Sequence, residues 1–91
     1  MPKYMVLSKL TEKGLKTLKD NPKRVEEVNE ELESVGEIIA QYAIFGEFDF
    51  VTILEVPDPQ TMAKISTELG SRGTIKLQTH QAFDLDEIIE D

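Results

Sequence analysis

Apolar and polar positions alternate over residues 3–10, with Tyr4, Val6, Ser8 and Leu10 on one face and Met5 and Leu7 among those on the other. That period predicts a strand with apolar groups on both sides. Thr11 then stands as a helix cap, Glu12 places an acid in the first turn, and Leu15 and Leu18 form the inward pair of a short helix. Asp20-Asn21-Pro22 interrupts it and starts a second helix over 22–35, because Asp and Asn cap well and proline is tolerated at the first helical position. Val25, Val28, Leu32 and Val35 recur there at spacings of three, four and three, a narrow stripe that Gly36 ends. Glu26, Glu27, Glu30, Glu31 and Glu33 fall mostly off the stripe and read as a solvated face.

Residues 37–45 and 48–56 are rich in Ile, Val, Phe and Tyr and predict two strands. Gly46-Glu47 joins them as a two-residue hairpin connection, with glycine at a positive-φ position. Ile38, Ala40, Tyr42 and Ile44 oppose Ile39, Gln41, Ala43 and Phe45 in the first strand. In the second, Phe48, Phe50, Thr52, Leu54 and Val56 oppose Asp49, Val51, Ile53 and Glu55. Next, Asp58 caps and Pro59 opens a helix that turns Met62, Ile65 and Leu69 inward; Gly70 is placed to stop it, and 71–73 make a loop. A fourth strand covers 74–83, with Ile75, Leu77 and Phe83 on one side and Lys76, Gln78, His80 and Ala82 on the other. Asp84-Leu85-Asp86-Glu87 then resembles a cap, so that Ile88 and Ile89 belong to a short last helix.

The order strand, helix, strand, strand, helix, strand predicts an α+β fold of the ferredoxin-like βαββαβ type, with a four-stranded antiparallel sheet. Its helices cover one face of the sheet. Apolar residues on both faces of three strands therefore leave a greasy surface larger than a lone soluble chain exposes. A homodimer or higher homo-oligomer with two sheets face to face, a dimeric α/β barrel, is the expected solution.

Composition narrows the chemistry. At 91 residues, with 40% hydrophobic and 31% charged, a single folded domain over 1–91 is expected. The absence of cysteine removes disulfides, thiolate zinc sites, iron–sulfur clusters and a thiol nucleophile. A net charge of −8 argues against nucleic acid and anionic membranes as partners, although residues 1–24 carry +5 against −13 for the remainder. Neither a signal-peptide pattern nor a membrane-length apolar run is present, which makes the cytoplasm the expected location. No HExxH, EF-hand, P-loop or GxGxxG motif occurs, so no metal and no cofactor is expected.

The chain resembles the GYD family, small proteins named for a Gly-x-Tyr-Asp motif at the hairpin and similar in fold to the dimeric α+β barrels. The resemblance rests on Leu10-Thr11-Glu12-Lys13-Gly14, on Asp20-Asn21-Pro22-Lys23-Arg24-Val25-Glu26 and on Gly46-Glu47-Phe48-Asp49. Glu55-Val56-Pro57-Asp58 and Ala82-Phe83 also fit, so nearly the whole chain is covered. Phe48 stands where the family's name has tyrosine. The resemblance implies the fold and assigns no activity.

Six residues merit testing as sites. Asp49 offers a carboxylate at the mouth of the space between sheets, to bind a cation or act as a base; alternatively it hydrogen-bonds nearby amides and fixes the register. His80, the only histidine, and Tyr42 belong to the strands expected to face the partner sheet, where they would either meet a small-molecule ligand or serve as wall residues. Lys23 and Arg24 follow Pro22 in a first helical turn, which suits an anion, or else they pair with the helix's own acids; Arg72 invites the same choice. The first functional expectation is a non-enzymatic homo-oligomer that holds a small ligand between sheets or at the protomer interface. Its rivals are a cofactor-independent or haem-dependent barrel oxygenase using His80 with Tyr42 or Asp49, and a regulatory ligand-binding module.

Overall fold

The computed structural model describes residues 1–89. Strand β1 (Lys3–Leu10) leads into α1 (Glu12–Asp20) and α2 (Arg24–Glu33), followed by β2 (Glu37–Ala43), β3 (Phe50–Glu55), α3 (Pro59–Ser71), β4 (Ile75–Ala82) and the short α4 (Leu85–Ile89). The sheet is antiparallel throughout, in the order β2-β3-β1-β4. This is the ferredoxin-like arrangement that the element order predicts.

Local chemistry sets the helix starts. Thr11 Oγ1 accepts the Gly14 amide at 3.1 Å and donates to the Gly73 carbonyl at 2.7 Å, tying the start of α1 to the loop before β4. Replacing Thr11 with Ala should lower stability by about 1–2 kcal/mol, read as a fall in the urea midpoint with an unchanged slope. Asp58 caps α3 through the Thr61 hydroxyl and amide, both at 2.7 Å, and these hydrogen bonds hold its carboxyl below the usual carboxylate range. Pro59 follows at the first helical position.

The core lies between the helices and one sheet face, around Tyr4, Val6, Leu32, Leu54, Val56, Met62 and Leu69. Leu54 and Val56 are fully buried, each contributing about 2 kcal/mol by apolar burial.

Several details depart from the sequence pattern. The hairpin is not a two-residue turn: β2 ends at Ala43 and β3 begins at Phe50, and the left-handed residue of the connection is Phe45, at φ 42°, rather than Gly46. Phe45 is held there by edge-to-face packing on Phe50, with ring centroids 5.7 Å apart. Along β2, Ile38 pairs with Leu54 but Ala40 pairs with Ile53, so an extra residue, Ile39, bulges out and reverses the alternation. Ile38 consequently shares the helix-side face with Gln41 and Ala43, while Ala40 and Tyr42 take the other. Leu15 is 49% exposed, because α1 approaches β4 through Gly14 and turns Gly14 and Leu18 inward instead. Gly70 lies within α3, which runs on to Ser71, and the left-handed glycine that follows the helix is Gly73, with φ 76°; Phe83 lies past the end of β4 and is exposed.

Candidate functional site

The face of the sheet turned away from α1, α2 and α3 is built in register. Its middle two rows read Ala40, Ile53, Met5, His80 and Tyr42, Val51, Leu7, Gln78 across β2, β3, β1 and β4. Six of these eight residues are apolar or aromatic, and Tyr42 is 64% exposed. One end of the face is marked by Glu37 and Glu55, the other by Lys9 and Lys76. At the acidic end, Lys3 pairs with Asp84 at 2.8 Å, a hydrogen bond that raises the lysine pKa.

His80 and Tyr42 both belong to this face, but at opposite edges and in adjacent rows: three strand spacings of about 4.8 Å and two residues along the strands separate them by roughly 16 Å. His80 Nε2 lies 3.3 Å from Gln78 Oε1 on its own strand. Within one chain these two groups do not converge on a common point.

Asp49 occupies a different setting, only 4% exposed in the β2–β3 connection. Its Oδ2 accepts the Leu10 amide at 2.8 Å and its Oδ1 lies 3.3 Å from Lys9 Nζ. The main chain of Asp49 donates to Ser8 O at 2.8 Å and accepts from Ile44 N at 2.8 Å. Past Phe50 the chain leaves the ladder, so the Leu10 amide loses its strand partner and the carboxylate takes its place. Lys23 is exposed at the start of α2, and Arg24 pairs with Glu27 one turn on, at 2.9 Å.

The opposite, helix-side face holds a cavity of about 300 Å³ between the sheet and the helices. Apolar side chains such as Val6, Val28, Leu54 and Met62 form most of its wall, and Ser8, Thr52, Asn29 and Gln41 bring polar groups to it. Gln41 and Asn29 exchange amide hydrogen bonds at 2.7 and 3.0 Å, and Gln41 Nε2 also reaches Thr52 Oγ1 at 3.1 Å. Arg24 and Arg72 line it too. From the end of α3, Arg72 reaches Glu31 of α2 at 2.6 Å and Glu68 at 3.2 Å. The Arg72 hydrogen bond holds the Glu31 carboxyl below its ordinary range against opposing desolvation, and Glu31 in turn raises the Arg72 pKa.

Of the cavity's polar groups, Arg24 and Arg72 were candidates from the sequence, whereas Ser8, Thr52, Asn29 and Gln41 were not. The available signal was a polar residue at an inward strand position: Ser8 between Val6 and Leu10, and Thr52 between Phe50 and Leu54. Gln41 was concealed by the bulge at Ile39, which is what turns it inward.

A four-stranded ferredoxin-like sheet, covered by helices on one side and largely apolar on the other, defines a small α+β protein. Within that class, the GYD domain model matches residues 4–90, and the chain belongs to the GYD family. It is 44% identical over 91 residues to a Thermus thermophilus protein named glutamine synthetase and cystathionine beta-lyase binding protein, covering 98% of this chain and 96% of that one. Among solved structures it resembles FFRP-DM1 with a TM-score of 0.60 at 21% identity, over 91% of this chain and all of the other. A hypothetical protein from Pyrococcus horikoshii gives 0.59 at 18% identity over the full length of both chains. These two likenesses concern the fold. No helix among the described residues is long and apolar enough to cross a membrane.

Proposed function

We propose that this chain works as a cytoplasmic, non-enzymatic homodimer whose sheets pair face to face, and that in this form it binds metabolic enzymes. The observation that carries the pairing is the open face, where Met5, Leu7, Val51, Ile53, Ala40 and Tyr42 lie contiguously. Four strands of about six residues give that face a footprint of roughly 400–500 Å². With side-chain relief this approaches the about 800 Å² per partner of a standard interface. The charged ends favour a second copy as the occupant. A two-fold axis lying between the sheets and running diagonally to the strands brings the Lys9–Lys76 corner of one copy over the Glu37–Glu55 corner of the other.

The enzyme-binding role draws on the Thermus relative, which is named for binding glutamine synthetase and cystathionine beta-lyase. Identity of 44% over almost the whole of both chains supports extending that role here. The immobilised native protein should bind at least one of these two enzymes from its own organism, saturably, and should ignore an unrelated enzyme of similar charge. Failure to bind either enzyme would remove this part of the proposal while leaving the pairing untouched.

A further inference from the structure

We propose that the cavity between the sheet and the helices is a ligand site for a small, uncharged, mostly apolar molecule carrying one hydrogen-bonding group. Such a site lies on the side of the sheet away from the proposed pairing surface and is independent of it. At about 300 Å³ the cavity reaches the lower end of ligand pockets, about 300–1,000 Å³. An apolar cavity of about 150 Å³ already takes up benzene, so this one has room for a molecule of about two fused rings.

Polarity defines the rest of the ligand. The amides of Asn29 and Gln41 satisfy each other and the Thr52 hydroxyl accepts from Gln41. Ser8 is different: the residue is 8% exposed and lines the cavity, yet among the described residues its Oγ has no hydrogen-bond partner. A hydroxyl or carbonyl on the bound molecule would meet it, which is how a few placed polar groups orient a ligand in an otherwise apolar pocket. Charge is disfavoured because both arginines at the cavity are already matched by carboxylates, Arg24 by Glu27 and Arg72 by Glu31 and Glu68. The Arg72–Glu31 pair joins α3 to α2 beside the cavity. The pair is partly solvated, with Arg72 25% and Glu31 45% exposed, and its opening would give entry between the helices.

2-Naphthol and naphthalene serve as probes. The intact protein should bind 2-naphthol saturably, one molecule per chain, and more tightly than naphthalene. Ser8→Ala should weaken 2-naphthol by roughly fivefold, the worth of one hydrogen bond, and leave naphthalene unchanged. Val28→Phe, which fills the cavity from α2, should abolish binding of both while retaining the native circular dichroism. Methyl-labelled methionine provides a readout that needs no variant. Met62 lines the cavity and Met5 lies on the open sheet face, so 2-naphthol should shift the Met62 resonance and leave Met5 in place. Absence of saturable binding, a shift at Met5 instead of Met62, or equal weakening of both probes by Ser8→Ala would overturn the assignment.

Discussion

Replacing Ile53 with Glu is expected to convert the protein into a folded monomer. Ile53 lies at the middle of the open face, flanked by Ala40 on β2 and Met5 on β1. It is half-buried on the side away from the core formed around Leu54 and Val56. In an isologous contact, a residue near the two-fold meets its own counterpart, so two carboxylates would be brought together in an apolar setting. Burying unpaired charge is among the largest single penalties available to an interface, and the dimer dissociation constant should rise by at least about 100-fold. The chain itself should keep its far-ultraviolet circular dichroism, since no helix packs on that position. Light scattering checks the mass. A variant that stays dimeric at micromolar concentration would show that the pairing surface lies elsewhere.

Replacing Gly14 with Ala should cause the largest loss of stability of any single methyl group added to this chain's helices. Gly14 is buried where α1 crosses the start of β4, and a Cβ built there collides with the carbonyl oxygen of Thr74. That oxygen already accepts the Thr11 amide at 2.9 Å, and the adjoining Gly73 carbonyl accepts the Thr11 hydroxyl. Neither side can retreat without breaking the cap that starts α1. The gain in helix propensity from Gly to Ala, about 1 kcal/mol, is outweighed by the overlap. A net loss of about 3 kcal/mol follows, with a melting temperature lower by more than about 10 °C for a domain of this size. Thermal unfolding followed by circular dichroism measures it; an unchanged midpoint would mean that α1 does not rest on Thr74 as described.

Why the element order was legible while some details were not can be traced to particular residues. Thr11, Asp58 and Pro59 act through neighbours within a turn, so their roles follow from short-range chemistry and the structure repeats them. The two-sided apolar strands were equally readable, because alternation places Met5, Leu7, Val51 and Ile53 on a face that two crossover helices cannot cover. The bulge at Ile39 was hidden: with apolar residues at both parities of β2, a one-residue shift changes nothing in the pattern and everything in which side chains face the helices. Gly46 misled for a related reason, since packing of Phe45 on Phe50 puts the left-handed residue one position earlier. Asp49 was open to two readings. The contacts of its side chain with Leu10 N and Lys9 depend on where the connection leaves the ladder, which no spacing reveals. The cavity is a property of how α1, α2 and α3 sit over the sheet, and its polar lining could be glimpsed only as hydroxyls in inward positions.

Sedimentation equilibrium of the native protein tests the pairing claim most directly. Over a micromolar concentration range the fitted mass should be at least twice the 10.3 kDa of the chain, and it should fall toward the single-chain value on dilution as a dissociating two-fold contact requires. A mass of one chain at every concentration would contradict the pairing of open sheet faces.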